Sequence, residues 1–236
     1  MNSDLFSFHD KNIMKNNIIR RIQYVSSLYV DCFEKVIPFH LVKPVAPILV
    51  LSGNIGKPSS KQTSDFLRHC SRGWDSVLYV PGQLELTEPI ANFNKLKSDL
   101  PNVFLLLSNS VKINGVVYIG SPLLSIGDLD WIRRKYGTLK GEENIVAITC
   151  GIPHINLLHS ADRNVSSVVE PTSLYPAVNL WISGYTRGAN RYLFDNGVLA
   201  VYNARGALGR NNDFDGTKGW SRETFVDLPK YSENMS

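Results

Sequence analysis

Cys150, His154 and His159 stand in one short stretch, and a thiolate with two imidazoles is a donor set able to hold zinc. Asp31 and Glu34, which follow an apolar run ending at Val25, add carboxylate oxygens to the same inventory. The spacing argues against a centre built this way, because Cys-x3-His-x4-His with Pro153 inside it matches no established ligand pattern. A buried thiol beside surface histidines is the plainer reading. His9, His40 and His69 stand alone and read as ordinary histidines. Ser27 is a possible nucleophile, but no His-Asp pattern accompanies it. Neither Gly-x-Ser-x-Gly nor Gly-x4-Gly-Lys-Ser/Thr occurs, which excludes a Ser-His-Asp hydrolase and a Walker-type nucleotide binder.

The more informative residues close the apolar runs. In open α/β sheets ligands gather outside the carboxyl ends of strands, where loops present side chains. In chain order these ends read Val25-Ser26-Ser27-Leu28-Tyr29, Ser52-Gly53-Asn54-Ile55-Gly56 and Val80-Pro81-Gly82-Gln83-Leu84-Glu85. Later come Thr149-Cys150-Gly151, Ser183-Gly184-Tyr185-Thr186-Arg187 and Asn203-Ala204-Arg205-Gly206.

This succession resembles the calcineurin-like metallophosphoesterases, whose blocks run Asp-x-His, Gly-Asp, Gly-Asn-His-Glu, a histidine after a strand, and Gly-His-x-His. Order and spacing across residues 21–206 carry the resemblance, since any block alone is weak. It implies a two-metal phosphoesterase site, and the departures fall on its ligands. Ser27 and Tyr29 occupy the places of the first aspartate and histidine, and Asn54 that of the bridging aspartate. Gln83 and Leu84 replace the metal-binding asparagine and the catalytic histidine. The fourth-block histidine falls at Cys150 or Gly151, and the last pair at Tyr185 and Arg187.

Two divalent ions need several anionic or imidazole donors before they can generate hydroxide and stabilise a transferred phosphoryl group. Ser27, Tyr29 and Leu84 are poor substitutes, Asn54 and Gln83 offer neutral carbonyl oxygens, and Arg187 brings a permanent positive charge. Leu84 also removes the group that would protonate a leaving oxygen. What matches is scaffold: Gly53, Gly56, Pro81, Gly82, Gly184 and Gly206 supply turns, Glu85 matches the family's acidic residue, and Asn203 with Arg205 a structural turn. The expectation is a degenerate site without metal or other cofactor.

Positioning those loops requires strands, and short β-branched runs predict them over Arg21–Val25, Ile48–Ser52, Ser76–Val80, Val103–Leu107, Val116–Gly120, Asn144–Thr149, Leu180–Ser183, Arg191–Phe194 and Leu199–Tyr202. Helices are predicted over Lys61–Arg72, Glu88–Leu100 and Leu129–Tyr136. Asn114-Gly115 and Asp195-Asn196-Gly197 lie between apolar runs and predict hairpins, so the second half leans antiparallel. The expected fold class is α/β, a two-layered β-sandwich flanked by helices, as the resemblance also implies. One domain is expected over residues 1–236, with a core from about 20 to 228 and flexible tails at Met1–Met14 and Lys230–Ser236.

Composition sets the outer bounds. Hydrophobic residues make up 43% and charged residues 19%, a globular balance, and a net charge of +4 names no partner. Cys32, Cys70 and Cys150 are an odd, widely spaced set that fits reduced thiols. No apolar run reads as a signal peptide or a membrane span, so the expected compartment is intracellular and cytoplasmic. Without a secretory signal, the Asn164-Val165-Ser166 sequon reads as chance.

The function expected from this reading is a catalytically inactive protein-binding or structural module whose partner is another protein. Trp131, Tyr136, Tyr175, Trp220 and Phe225 are the contact candidates. Two alternatives stay open: a repurposed phosphoesterase with non-standard metal ligands, and an anion or nucleic-acid binder. The second would use Arg187, Arg191, Arg205, Arg210 and Arg222, with Arg133-Arg134-Lys135 as a further basic run. The former pocket is then empty, filled by Tyr29, Tyr185 and Arg187, or holding a new ligand.

Overall fold

Alternation within the apolar runs decides how the strands stack. The structure, a computed structural model, describes residues 21–33, 41–139, 141–142, 144–158, 178–206 and 219–228. One sheet takes β1 (Arg21–Val25), β2 (Ile48–Ser52), β3 (Ser76–Val80), β4 (Val103–Leu105) and β11 (Phe225–Asp227), in the order β11-β1-β2-β3-β4. The other takes β5 (Asn109–Ile113), β6 (Val116–Ser121), β7 (Ile145–Thr149), β8 (Leu180–Ser183), β9 (Gly188–Leu193) and β10 (Leu199–Ala204), in the order β5-β6-β7-β8-β10-β9.

Side chains two apart share a face of a strand, so Ile22 and Tyr24, Ile48 and Val50, and Leu78 and Val80 point one way. They meet Tyr118, Val146, Ile148, Leu180, Ile182 and Val201 of the second sheet in a buried layer between the sheets. The alternate residues Leu49, Leu51, Val77 and Tyr79 form a second layer with Phe66, Leu67, Cys70 and Phe93 of α1 (Lys61–Gly73) and α2 (Ile90–Lys97). A third layer sets Val117, Ile119, Ile145, Ala147 and Trp181 against Leu129 and Ile132 of α3 (Ile126–Gly137). The architecture is an α/β sandwich of two mixed sheets with helices on the outside.

Seven strands keep the bounds or starts read from sequence, and the differences have local causes. The second sheet is not mainly antiparallel: β6, β7, β8 and β10 run parallel, and only the edge strands β5 and β9 pair antiparallel. The Asn114-Gly115 hairpin is real, with φ of 50° and 78°, but it closes an edge. The central runs are continuously apolar because both their faces are covered, which is the pattern of parallel strands. The second helix begins at Ile90 and not at Glu88, because Pro89 pushes the residue before it into extended backbone, φ −105° and ψ 154°. α3 starts earlier than expected, at a reciprocal cap between Ser125 and Asp128. β9 also starts earlier, at Gly188. The strand after Val103 stops at Leu105, short of Leu107.

At one corner the sheets are joined directly. The Ser26 N–H donates to the Asn203 carbonyl at 2.9 Å, and the Arg205 N–H donates to the Ser26 carbonyl at 3.1 Å. Both expected tails and the Asn164 sequon lie outside the described residues. Among the described residues no helix is long and apolar enough to cross a membrane.

Candidate functional site

The parallel strands of both sheets deliver their carboxyl ends to one face, and small residues let the loops there interlock. A Cβ on Gly184, which follows β8, would stand 1.8 Å from the Ser52 carbonyl oxygen at the end of β2. A Cβ on Gly53 would stand 2.4 Å from the Cys150 Sγ at the end of β7. The loops after β2, β7 and β8 are thus in backbone contact, and neither position tolerates a side chain.

Backbone strain concentrates at the same place. Ser27, Tyr29, Asn54 and Tyr185, with φ of 52°, 49°, 47° and 49°, are four of the seven non-glycine residues in left-handed backbone among the described residues. Asparagine tolerates that region, whereas tyrosine and serine are held there against a local cost of order 1–3 kcal/mol each. All four are positions that the sequence resemblance marks as expected site positions.

The polar groups of these residues bond to one another. Asn54, 3% exposed, donates from its carboxamide to the Tyr29 hydroxyl at 3.2 Å and accepts the Leu84 N–H at 3.0 Å. The Tyr29 N–H donates to the Asn54 carbonyl at 3.1 Å, and the Ser27 N–H to the Gly53 carbonyl at 2.9 Å. Tyr185 donates its hydroxyl to the Gln83 Oε1 at 2.7 Å, linking the loop after β8 to the loop after β3. Beneath them Glu85 is fully buried and accepts five donors: the N–H groups of Asn54, Ile55, Gly56 and Gly82, and the Tyr79 hydroxyl. Sequence reading marks Glu85 as fold-holding. The left-handed tyrosines and the Tyr185–Gln83 link leave no sequence signal.

Ionisation follows burial. Desolvation pushes the Tyr29 phenol up to about 12, with the Asn54 hydrogen bond pulling the other way and Cys150, Glu85 and Tyr185 adding to the rise. Burial, and then the Glu85 charge, raise the Cys150 thiol far above its ordinary range. Burial also raises Glu85 itself, opposed by the backbone N–H groups it accepts. Arg205, 1% exposed, donates to the Leu28 carbonyl at 2.6 Å and lies 4.8 Å from the centre of the Phe33 ring. Burial lowers its guanidinium to about 10.

Ser27, Tyr29, Asn54, Leu84 and Cys150 therefore share one network with Glu85, and Gln83 joins Tyr185 at its exposed rim. Arg187 is exposed on the turn leading into β9. Among the described residues no group of three His, Cys, Asp or Glu could hold an ion; His159 and Glu34, members of the substitute metal set, lie outside them. His154 instead accepts the Asn156 N–H at 3.0 Å through Nδ1 and stacks on Tyr192, ring centres 5.9 Å apart. Glu34, His159, Tyr175 and Arg210 lie outside the described residues.

Of the aromatic contact candidates, Phe225 is 40% exposed and the other described ones are half-buried. Trp131 and Tyr136 pack half-buried against the α3 layer, Trp220 packs against the α1 layer, and Phe225 lies under the Arg21 guanidinium at 4.1 Å. Other exposed apolar side chains include Leu86 at 41%, Ile90 at 52% and Ile126 at 76%. They follow β3 and β6, where an apolar residue reads as a helix or turn position and gives no sign of facing solvent.

No family model matches the chain. It is 29% identical to Uncharacterized protein L509 of Acanthamoeba polyphaga mimivirus over 126 aligned residues, and the match covers 45% of this chain and 45% of that relative. The chain thus spans less than half the length of the curated relative it matches. One crystal structure resembles it with a TM-score of 0.59 at 15% identity, over 78% of this chain and 90% of the other. GAP50, named as the anchor in the inner membrane complex of Plasmodium, resembles it with a TM-score of 0.52 at 12% identity, over 80% of this chain and 73% of its own. At these identities the likeness is one of fold.

Proposed function

We propose that this chain is a degenerate member of the calcineurin-like metallophosphoesterases that acts as a metal-free protein-binding or structural module. The observation that supports this best is the engagement of Asn54. Its Nδ2 donates to the Tyr29 hydroxyl and its Oδ1 accepts the Leu84 N–H, so both ends of the carboxamide are held by protein partners and an ion would compete with the Leu84 N–H for the oxygen. The order of the strand-end blocks supports the ancestry, and the departures at Ser27, Tyr29, Gln83, Leu84, Cys150, Tyr185 and Arg187 support the loss of chemistry. Leu86, Ile90 and Ile126, in the segments after β3 and β6, are exposed apolar side chains, which supports a macromolecular partner over a small substrate. A structural role also agrees with what GAP50, a fold neighbour, is named for, an anchor within a membrane-associated complex.

The test is hydrolysis of bis(p-nitrophenyl) phosphate and p-nitrophenyl phosphate by the purified chain with manganese or zinc. Release at the rate of the metal-containing buffer is expected. Turnover above that control, removed by substitution at Asn54 or Gln83, overturns the proposal.

A further inference from the structure

Glu85 is a fully buried carboxyl whose five hydrogen-bond donors are all uncharged. One oxygen accepts the Asn54 N–H at 3.1 Å and the Gly82 N–H at 2.9 Å. The other accepts the Ile55 N–H, the Gly56 N–H at 3.3 Å and the Tyr79 hydroxyl at 3.1 Å. Three of the four amides are consecutive, and they converge because Gly53 and Asn54 both adopt left-handed backbone, φ 75° and 47°. Successive N–H groups turned inward by such backbone form a concavity that binds anions. A helix N-terminus plays no part here, since the amides lie in a loop between β2 and α1.

We infer that the Gly53–Gly56 loop, with the Gly82 amide and the Tyr79 hydroxyl, is a carboxylate-binding site whose resident ligand is the chain's own Glu85. The ligand class follows from the donors: two oxygens about 2.2 Å apart in one plane, as in formate or acetate, each met by at least two donors. The carboxyl is supplied from the loop after β3 and received mainly by the loop after β2, so it fastens the two loops under the pocket. This holds whether or not the pocket above retains chemistry, and its failure would leave the proposed function untouched. A side chain that merely fills space would be replaced without loss by glutamine, which has the same shape. In the inferred site glutamine turns an NH2 group toward N–H donors and leaves at least two of them buried without acceptors.

The test compares thermal midpoints of wild type, Glu85→Gln and Glu85→Ala, with sodium formate against sodium chloride at equal ionic strength. Glu85→Gln is expected to lose about 5 °C or more, from at least two unsatisfied buried donors in a chain of this size. Formate at about 0.2 M is expected to raise the midpoint of Glu85→Ala saturably, and to leave wild type and Glu85→Gln at their chloride values. A Glu85→Gln midpoint equal to wild type, or an equal formate effect in all three proteins, overturns the inference. If Glu85→Ala fails to fold, hydrogen exchange in the wild-type protein decides. The Asn54, Ile55, Gly56 and Gly82 amides are expected to exchange as slowly as those of β2, and exchange at the rate of exposed loop amides overturns it.

Discussion

The Asn54 carboxamide donates to the Tyr29 hydroxyl at 3.2 Å while the Tyr29 N–H donates to the Asn54 carbonyl at 3.1 Å. The two residues are thus bonded to each other twice, once by side chain and once by backbone. The pair connects the loops after β1 and β2. The consequences can be measured.

An aspartate at position 54 is expected to destabilise the fold. Asn54→Asp places a carboxylate at a 3% exposed position, adjoining Glu85, which already accepts the Asn54 N–H. Burial and the neighbouring carboxyl both favour the neutral acid, so the folded-state pKa of the new group is raised. Its cost, of order 1–3 kcal/mol, is absent below the ordinary aspartate range and appears as pH rises above it. Urea midpoints at acid and neutral pH check this, and a variant as stable as wild type at neutral pH contradicts it.

Two single-hydroxyl deletions should differ in cost. Tyr29→Phe leaves the mostly buried Asn54 NH2 without its acceptor, an expected loss of about 1–3 kcal/mol. Tyr185→Phe removes a bond to the exposed Gln83, where water replaces the partner, and is expected to cost less than about 1 kcal/mol. Denaturant unfolding of the two variants side by side reads the difference.

Gly184→Ala sets a Cβ 1.8 Å from the Ser52 carbonyl oxygen, a backbone atom that cannot swing aside. Separating the loops after β2 and β8 is expected to cost about 3 kcal/mol or more. Gly115→Ala meets nothing within 4 Å, so it tests the positive φ alone and is expected to cost less. Thermal melts of both variants provide the comparison.

High pH should unfold the protein through its phenols. Burial raises Tyr24 and Tyr29 to about 12, with Tyr79 and Tyr118 also raised, against an ordinary value of 10.0. A group whose folded pKa is raised stabilises below its unfolded pKa and loses that contribution as pH climbs to the folded one. Stability should therefore fall between about pH 10 and 12. Phenolate absorbance from these tyrosines should appear together with loss of circular dichroism. Ionisation well before unfolding would contradict the burial assigned to them.

Much of this was legible before the structure. Uniform apolar runs gave β2, β3 and β8 their bounds, and Asn114-Gly115 marked the edge hairpin because both residues accept positive φ. The site's loops were legible from Gly53, Gly82 and Gly184, whose neighbours leave no room for a side chain. β11 was not, since Phe225–Asp227 is three residues long and is a strand only because β1, some 200 residues earlier, offers an edge. The hold of Glu85 on four amides was hidden for the same reason: its partners are backbone groups, and no residue type announces them. Exposed Ile126 and half-buried Trp131 reversed the simple expectation because both lie on α3, whose inward face only the packed sheet defines.

The central claim is that this site holds no metal, and metal content measures it most directly. The purified protein is incubated with manganese and zinc, freed of unbound ions and analysed by mass spectrometry, with its thermal midpoint recorded before and after chelation. The account predicts no stoichiometric metal and an unchanged midpoint. Two tightly held ions per chain, with a midpoint that falls on chelation, would contradict it.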